Sequence, residues 1–198
     1  MSATETRIAR PEAIAAAKAF VDALNGTYED LVVAGSLRRR LAYVGDVEIV
    51  AAPKLERVES GLFGDDIQTV DRLHARMHAL LDADEVEQRL DRNGLSRWGP
   101  TLKLVRFHGV NVDLFTPDRE RFGWIVLLRT GPAAFSRQLV VRRGEKTKDG
   151  RPGLLPGRLL PRDGWLTWRV SGEKIPTPTE RHAFEALGLA YIEPWQRS

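Results

Sequence analysis

The chain has 198 residues, of which 42% are hydrophobic and 29% charged, the profile of a globular protein of one domain or two small lobes. It has no cysteine, which excludes a disulfide scaffold and any thiolate-ligated zinc or iron–sulfur site. No apolar run approaches the ~20 residues needed to cross a bilayer, and the polar first ten residues do not read as a secretory signal, so an intracellular protein without a membrane partner is expected. The net charge of +3 hides an asymmetry: residues 1–116 carry −3 and residues 117–198 carry +6. Four of the five tryptophans (Trp124, Trp165, Trp168, Trp195) fall in the basic part, which points to an anionic partner, nucleic acid first.

In chain order, Pro11 to Leu24 reads as a helix with Ile14, Ala17, Val21 and Leu24 as its apolar stripe, ended by Asn25-Gly26. Leu31 to Ala34 is a short strand, broken at Gly35-Ser36 and followed by Arg38-Arg39-Arg40. Val44 to Ala51 reads as a second strand, with Val47, Ile49 and Ala51 facing a core and Asp46 and Glu48 on the other face. A helix is expected within 65–83, on Ile67, Val70, Leu73, Met77 and Leu81. Thr101 to Phe107 and Val110 to Phe115 read as a hairpin turning at His108-Gly109. Beyond Pro117 come an apolar stretch from Phe122 to Leu128 and a helix over 133–142. Loops rich in Gly, Pro and basic residues follow, and then a strand at 165–170. Thr177-Pro178-Thr179-Glu180 reads as a capping box for a helix running to Leu187. Trp165 and Trp168, three apart on a strand, should face opposite sides, one buried and one exposed.

The chemistry-bearing set is Asp46 and Glu48 on one strand face and Asp113 between Val112 and Leu114 on another strand. If those strands are neighbours, three carboxylates converge, and like charges in close array call for a cation. Hard oxygen donors suit Mg²⁺ or Mn²⁺, two of which suit phosphoryl chemistry. About ten residues earlier, the Gly35-Ser36 turn offers an anion nest and the arginine run offers phosphate-shaped cations. Elsewhere, His74 and His78 stand one helical turn apart; without a Glu at 75 the zinc-protease pattern fails, and a solvated or partly packed helix face is expected.

Gly35-Ser36-Leu37-Arg38-Arg39-Arg40 followed by Gly45-Asp46-Val47-Glu48 resembles the signature of the polymerase-beta-like nucleotidyltransferase superfamily. Thr130-Gly131 with Phe135, and the ending Phe184-Glu185-Ala186-Leu187-Gly188-Leu189-Ala190-Tyr191-Ile192-Glu193-Pro194, are similar to segments of the X-family DNA polymerases. The resemblance implies an α+β fold: a nucleotidyltransferase palm over 1–122, a mixed sheet with helices on one face, and a small C-terminal α/β lobe over 123–198. It implies a monomer that extends a DNA primer 3′-hydroxyl with deoxynucleotides and releases pyrophosphate, in repair or gap filling. Asp46, Glu48 and Asp113 would hold two Mg²⁺, with Mn²⁺ as the alternative ion. Gly35, Ser36, Arg39, Gly45 and Gly131 would bind the nucleoside triphosphate. Arg137, Lys146, Lys148, Arg158 and Arg169 would contact the primer–template. Cytoplasmic, nucleoid-associated or viral settings all fit.

Several positions depart from the family pattern. Glu48 stands for the second Asp. Leu128-Arg129 stands for the Tyr-Phe pair near the incoming sugar. Pro132 replaces the Ser after Thr-Gly. Ser136, Val140 and Asn111 replace an Asn at the base edge, an Arg toward the template and an Arg at the primer end. The N-terminal lyase domain of larger relatives has no counterpart, so a minimal form is expected. These departures motivate an alternative enzyme reading, a template-independent nucleotidyltransferase acting on a nucleic-acid end, a small molecule or a protein. A non-catalytic nucleic-acid-binding module is the third reading.

Overall fold

The structure, a computed structural model, describes residues 7–60, 66–91 and 93–197. The chain opens with a short strand β1 (Ile8–Ala9) and helix α1 (Arg10–Ala23). Next come strand β2 (Tyr28–Val33), the single-turn helix α2 (Gly35–Arg38), and strands β3 (Tyr43–Val44) and β4 (Val47–Pro53). A hairpin of β5 (Leu55–Ser60) and β6 (Asp66–Asp71) leads into α3 (Arg72–Asp82), followed by β7 (Val86–Gln88), β8 (Leu102–Phe107) and β9 (Val110–Phe115). The C-terminal part holds α4 (Phe122–Thr130), α5 (Ala133–Val140), the hairpin β10 (Leu159–Arg162) and β11 (Trp165–Trp168), and α6 (Glu180–Ala186).

The expected mixed sheet is present, in the order β2-β4-β9-β8-β7. β4 and β9 run parallel at its centre and the other pairs are antiparallel. One face is covered by α1 and α3. Ala13, Ala17 and Phe20 of α1 and Leu73, Met77 and Leu80 of α3 meet Val47, Ile49 and Ala51 there, as the alternation of β4 requires. The opposite face of β4 begins with Glu48 and continues with Val50 and Ala52, which α4 covers through Phe122 and Val126. A second core gathers Trp124 and Leu127 of α4 with Leu139, Leu159, Leu166 and Phe184. Helix α4 therefore belongs to both cores and joins the sheet to the C-terminal part.

Four local expectations shift. The buried stripe of α1 is Ala13, Ala17, Phe20 and Leu24, while Ile14 is exposed: the helix is rotated so that its aromatic residue fills the core. Ile67 and Val70 lie on β6, not on a helix. Their β-branched segment pairs with Leu55–Ser60, and Asp71 starts α3 instead by accepting from the His74 amide at 2.7 Å. On that helix Leu80 is buried rather than Leu81. At the far end, Thr179, not Thr177, caps α6. Thr177 is buried and its backbone bridges Glu120 and Gly123 instead, at 2.6 and 2.7 Å. The hairpin at His108-Gly109 forms as expected, with both residues at positive φ. Trp165 is buried and Trp168 exposed, also as expected.

Candidate functional site: a carboxylate cleft between the sheet and the C-terminal part

The parallel pairing of β4 with β9 places Glu48 directly beside Asp113. Both face away from the α1–α3 layer, on the side where α4 leaves the first part of the strands uncovered. Asp46 sits in a bend just before β4 rather than on the strand itself. Asp46 and Asp113 both line a cleft of about 790 Å³, as do Ser36 and Gly45.

Electrostatics mark Glu48 and Asp113 as held toward their protonated forms. Burial, followed by repulsion from Asp46 and Asp113, pushes the Glu48 carboxyl up to about 7. Burial and then Asp46 push Asp113 up to about 6, against the pull of Arg89 and Arg129. Asp113 is ion-paired with Arg89, which comes from the end of β7. Among the described residues no three His, Asp or Glu side chains already converge on one metal position. The donor set nevertheless fits a hard divalent cation: oxygen ligands only, and negative charge that the protein's own cations do not fully offset.

Gly35 packs directly against Glu48. The Ala34 amide donates to the Glu48 carbonyl at 2.7 Å, so the chain leaves β2 alongside β4. Gly35 then turns with φ +63, and a Cβ there would collide with the Glu48 carboxylate. Only glycine lets the backbone pass this close in that conformation.

The arginine run after Ser36 is placed differently from expectation. Arg38 donates to the Thr130 hydroxyl at 2.8 Å and, through both terminal nitrogens, to Glu180 at 3.0 and 2.8 Å. Arg39 donates to the Thr130 carbonyl at 2.7 Å. Arg40 lies over the Trp195 ring at 3.8 Å. The run therefore ties α2 to the C-terminal part, with one Arg39 nitrogen engaged in the tie. Arg39 alone keeps a link to the carboxylates: burial lowers its pKa and the charge of Glu48 raises it. Glu180 is the hub of the tie, receiving Arg197 at 2.7 Å and the Tyr191 hydroxyl at 3.2 Å as well. Gly131 follows Thr130, and a Cβ on it would lie 2.5 Å from the Phe135 ring.

Of the expected DNA contacts, Lys146 and Lys148 are exposed and Arg158 lies over the exposed face of Trp168 at 5.9 Å. Arg137 is ion-paired with Asp149 at 3.2 Å. Arg169 donates to the Gly157 and Leu159 carbonyls at 2.7 and 2.9 Å, a bracing role in the β10–β11 hairpin. His74 and His78 lie 3.0 Å apart, with the Trp98 indole donating to His78 at 3.2 Å, a hydrogen-bonded patch on the helix face away from the cleft residues. Sequence reading missed Arg7, Arg89, Arg97 and Arg129 as cleft-lining cations. Arg89 and Arg97 lie in the stretch without motifs. Arg129 had a signal, its place immediately before Thr130-Gly131.

Two comparisons bear on identity. Residues 162–198 match the family model of the DNA polymerase beta thumb. The chain is 27% identical over 171 residues to DNA polymerase lambda of Rattus norvegicus. That match covers 84% of this chain and 28% of the relative, so the chain spans under a third of the length of the protein it matches. The thumb match contains the C-terminal block that the sequence analysis singled out. The motifs, the mixed sheet with its helices and these two similarities agree in making the chain similar to X-family DNA polymerases, its C-terminal part most directly through the thumb match.

Proposed function

We propose that the chain is a metal-dependent nucleotidyltransferase of the polymerase type, adding deoxynucleotides to a primer 3′-hydroxyl with release of pyrophosphate. The observation that carries this reading is the parallel register of Glu48 with Asp113, which lines a cleft together with Asp46. In this reading Asp46, Glu48 and Asp113 hold Mg²⁺ or Mn²⁺, which when bound supplies charge neutralisation for the attacking and departing oxygens. Ser36 and the Gly45 backbone, which line the same cleft, orient the triphosphate. Asp113, beside Glu48 on β9, would also help activate the primer hydroxyl. Arg158 and exposed Trp168 on the β10–β11 hairpin offer a cation and a stacking face to the DNA. Short-gap filling in repair is the setting that the resemblance to the X family suggests.

The template-independent reading has two observations in its favour. The Ser136 hydroxyl, which stands where relatives meet the base edge, donates to the Leu128 carbonyl at 2.7 Å. Val140, at the position of the template-reaching Arg, is an exposed aliphatic residue. Primer extension with each nucleotide separately separates the two readings. Templated, gapped and single-stranded substrates are compared with Mg²⁺ and with Mn²⁺ at fixed salt. Incorporation that follows the template base supports the first reading, and incorporation indifferent to it supports the second. No incorporation on any substrate, with no nucleotide binding, returns the chain to a binding module.

A further inference from the structure

The histidine pair of α3 takes no part in the carboxylate site. The sheet lies between them, with α3 on one face and Glu48 and Asp113 on the other. His74 and His78 are one helical turn apart, and their rings lean together with centroids 4.5 Å apart. Their Nε2 atoms converge to 3.0 Å. The Trp98 indole, which can only donate, gives its hydrogen to His78 Nε2 at 3.2 Å. His78 Nε2 is therefore the unprotonated acceptor, and His74 Nε2 supplies the hydrogen between the rings. One lone pair serves two donors. Solvent reaches the pair, since His78 is exposed and His74 half-buried. Burial, then the charges of Lys103 and His78, lower the His74 pKa against the pull of Asp71, which favours the neutral ring. Lys103 itself is engaged, donating to the Gly99 carbonyl at 2.9 Å.

Two imidazole nitrogens on one ion, each at about 2.0–2.1 Å, stand about 2.9 Å apart when they are neighbours in a square or octahedral shell. The 3.0 Å between the two Nε2 atoms meets that spacing without moving the helix. We propose that His74 and His78 form a two-nitrogen site for a late first-row divalent ion, Cu²⁺ or Ni²⁺ before Zn²⁺, with water in the remaining positions. The ion takes the place of the hydrogen shared between the rings. The His74 hydrogen moves from Nε2 to Nδ1, so that both Nε2 lone pairs face the metal and no proton leaves the protein. The Trp98 indole has to release His78, which makes it a built-in competitor of the ion. Among the described residues no third His, Asp or Glu joins the pair, and this sets the order of ions. With imidazole alone as the protein donor, affinity follows the general rise toward copper, while hard Mg²⁺ prefers oxygen and is not held. The site is independent of the nucleotidyl-transfer reading.

The test titrates Ni²⁺ into the full chain by calorimetry, without nucleotide or DNA, at a pH of about 7.5 where an ordinary imidazole is neutral. Mg²⁺ is the control ion, and an Asp113→Asn chain is run beside the wild type to separate the pair from the carboxylate cleft. The expected result is a Ni²⁺ site that Asp113→Asn retains and Mg²⁺ does not fill. His74→Gln and His78→Gln should each weaken it by about ten- to hundredfold, because one ligand no longer holds the ion near the other. Ni²⁺ should raise the thermal midpoint of the wild type and not that of the two glutamine variants, while all three melt alike without metal. Trp98→Phe, which removes the competing donor and keeps an aromatic ring, should tighten Ni²⁺ binding severalfold. Lowering the pH to about 5 should abolish binding by protonating the ligands. Unchanged Ni²⁺ affinity in both folded glutamine variants overturns the site. Unchanged or weaker binding in a folded Trp98→Phe chain overturns the placement of the ion at His78 Nε2.

Discussion

Two acidic centres of this molecule are buried to similar extents and answer burial in opposite ways. At Glu180, burial alone would raise the carboxyl. Hydrogen bonds from Arg197 and Arg38 outweigh it and hold the group below the ordinary range. At Glu48 and Asp113 burial is reinforced by neighbouring carboxylates, and the groups rise to about 7 and about 6. The difference lies in the cations. Glu180 has two arginines in direct contact, 2.7 and 2.8 Å away. The cleft pair has Arg89 on Asp113 and only the through-space pull of Arg39 and Arg129 on Glu48. A satisfied buried charge holds two segments together. One with fewer cations in contact stays raised, the condition under which the proposed metal would bind there.

The sharpest way to break this contrast is at Asp113. Asp113→Asn keeps the shape and removes one charge. Metal-assisted charge stabilisation of several kcal/mol corresponds to about a thousandfold in rate, so nucleotide transfer should fall by at least that factor. The far-ultraviolet circular dichroism should stay unchanged. Retained transfer would dismiss the carboxylates as the catalytic centre.

Glu180→Ala should affect stability instead. Removing one member of a buried charge cluster costs about 3–5 kcal/mol, read as a lower urea midpoint. In the wild type, the contribution of Glu180 is complete above its unfolded pKa and is lost as pH falls through its depressed folded value. Acid titration of the Glu180→Gln chain should therefore lack that component.

Gly35→Ala combines a positive φ with a collision against Glu48. The backbone part alone costs about 1–2 kcal/mol. The displaced Glu48 should also weaken Mg²⁺ binding, which calorimetry would register. An unchanged metal affinity would separate Gly35 from the site.

The pH response of the metal-free chain should show the cleft directly. Glu48 and Asp113 hold protons in the folded state at pH values where the unfolded chain has released them, so stability should decline as pH rises from about 4 to about 7. Added Mg²⁺ should offset the decline, increasingly toward neutral pH. A flat profile in denaturant melts would show the carboxylates to be better compensated than the structure indicates.

The smallest effect is expected at Trp168→Ala. Its side chain is 39% exposed, so stability should change by about 0.5 kcal/mol or less. Single-stranded DNA binding should weaken by about 1–3 kcal/mol if a base stacks there.

The sequence by itself determined the parts that rest on local pattern. Alternation along 47–51 put Val47, Ile49 and Ala51 in a core and left Glu48 on the other face. The His108-Gly109 turn and the split fates of Trp165 and Trp168 followed from the same period-two rule. What depends on distant partners was out of reach. That Glu48 stands beside Asp113 requires β4 and β9 to be parallel neighbours, a pairing across more than sixty residues that no local period encodes. The run Arg38-Arg39-Arg40 carried the right charge for phosphate. Its direction was decided by Glu180, Thr130 and Trp195, residues remote in the chain that the packing of α4 and α6 brings within reach. Arg129 carries the same lesson. Composition named a basic C-terminal part, but only the tertiary structure turned one of its cations back against Phe115 and into the cleft. Residue type sets what a side chain can bind, and the competition among partners in the folded chain sets what it does bind.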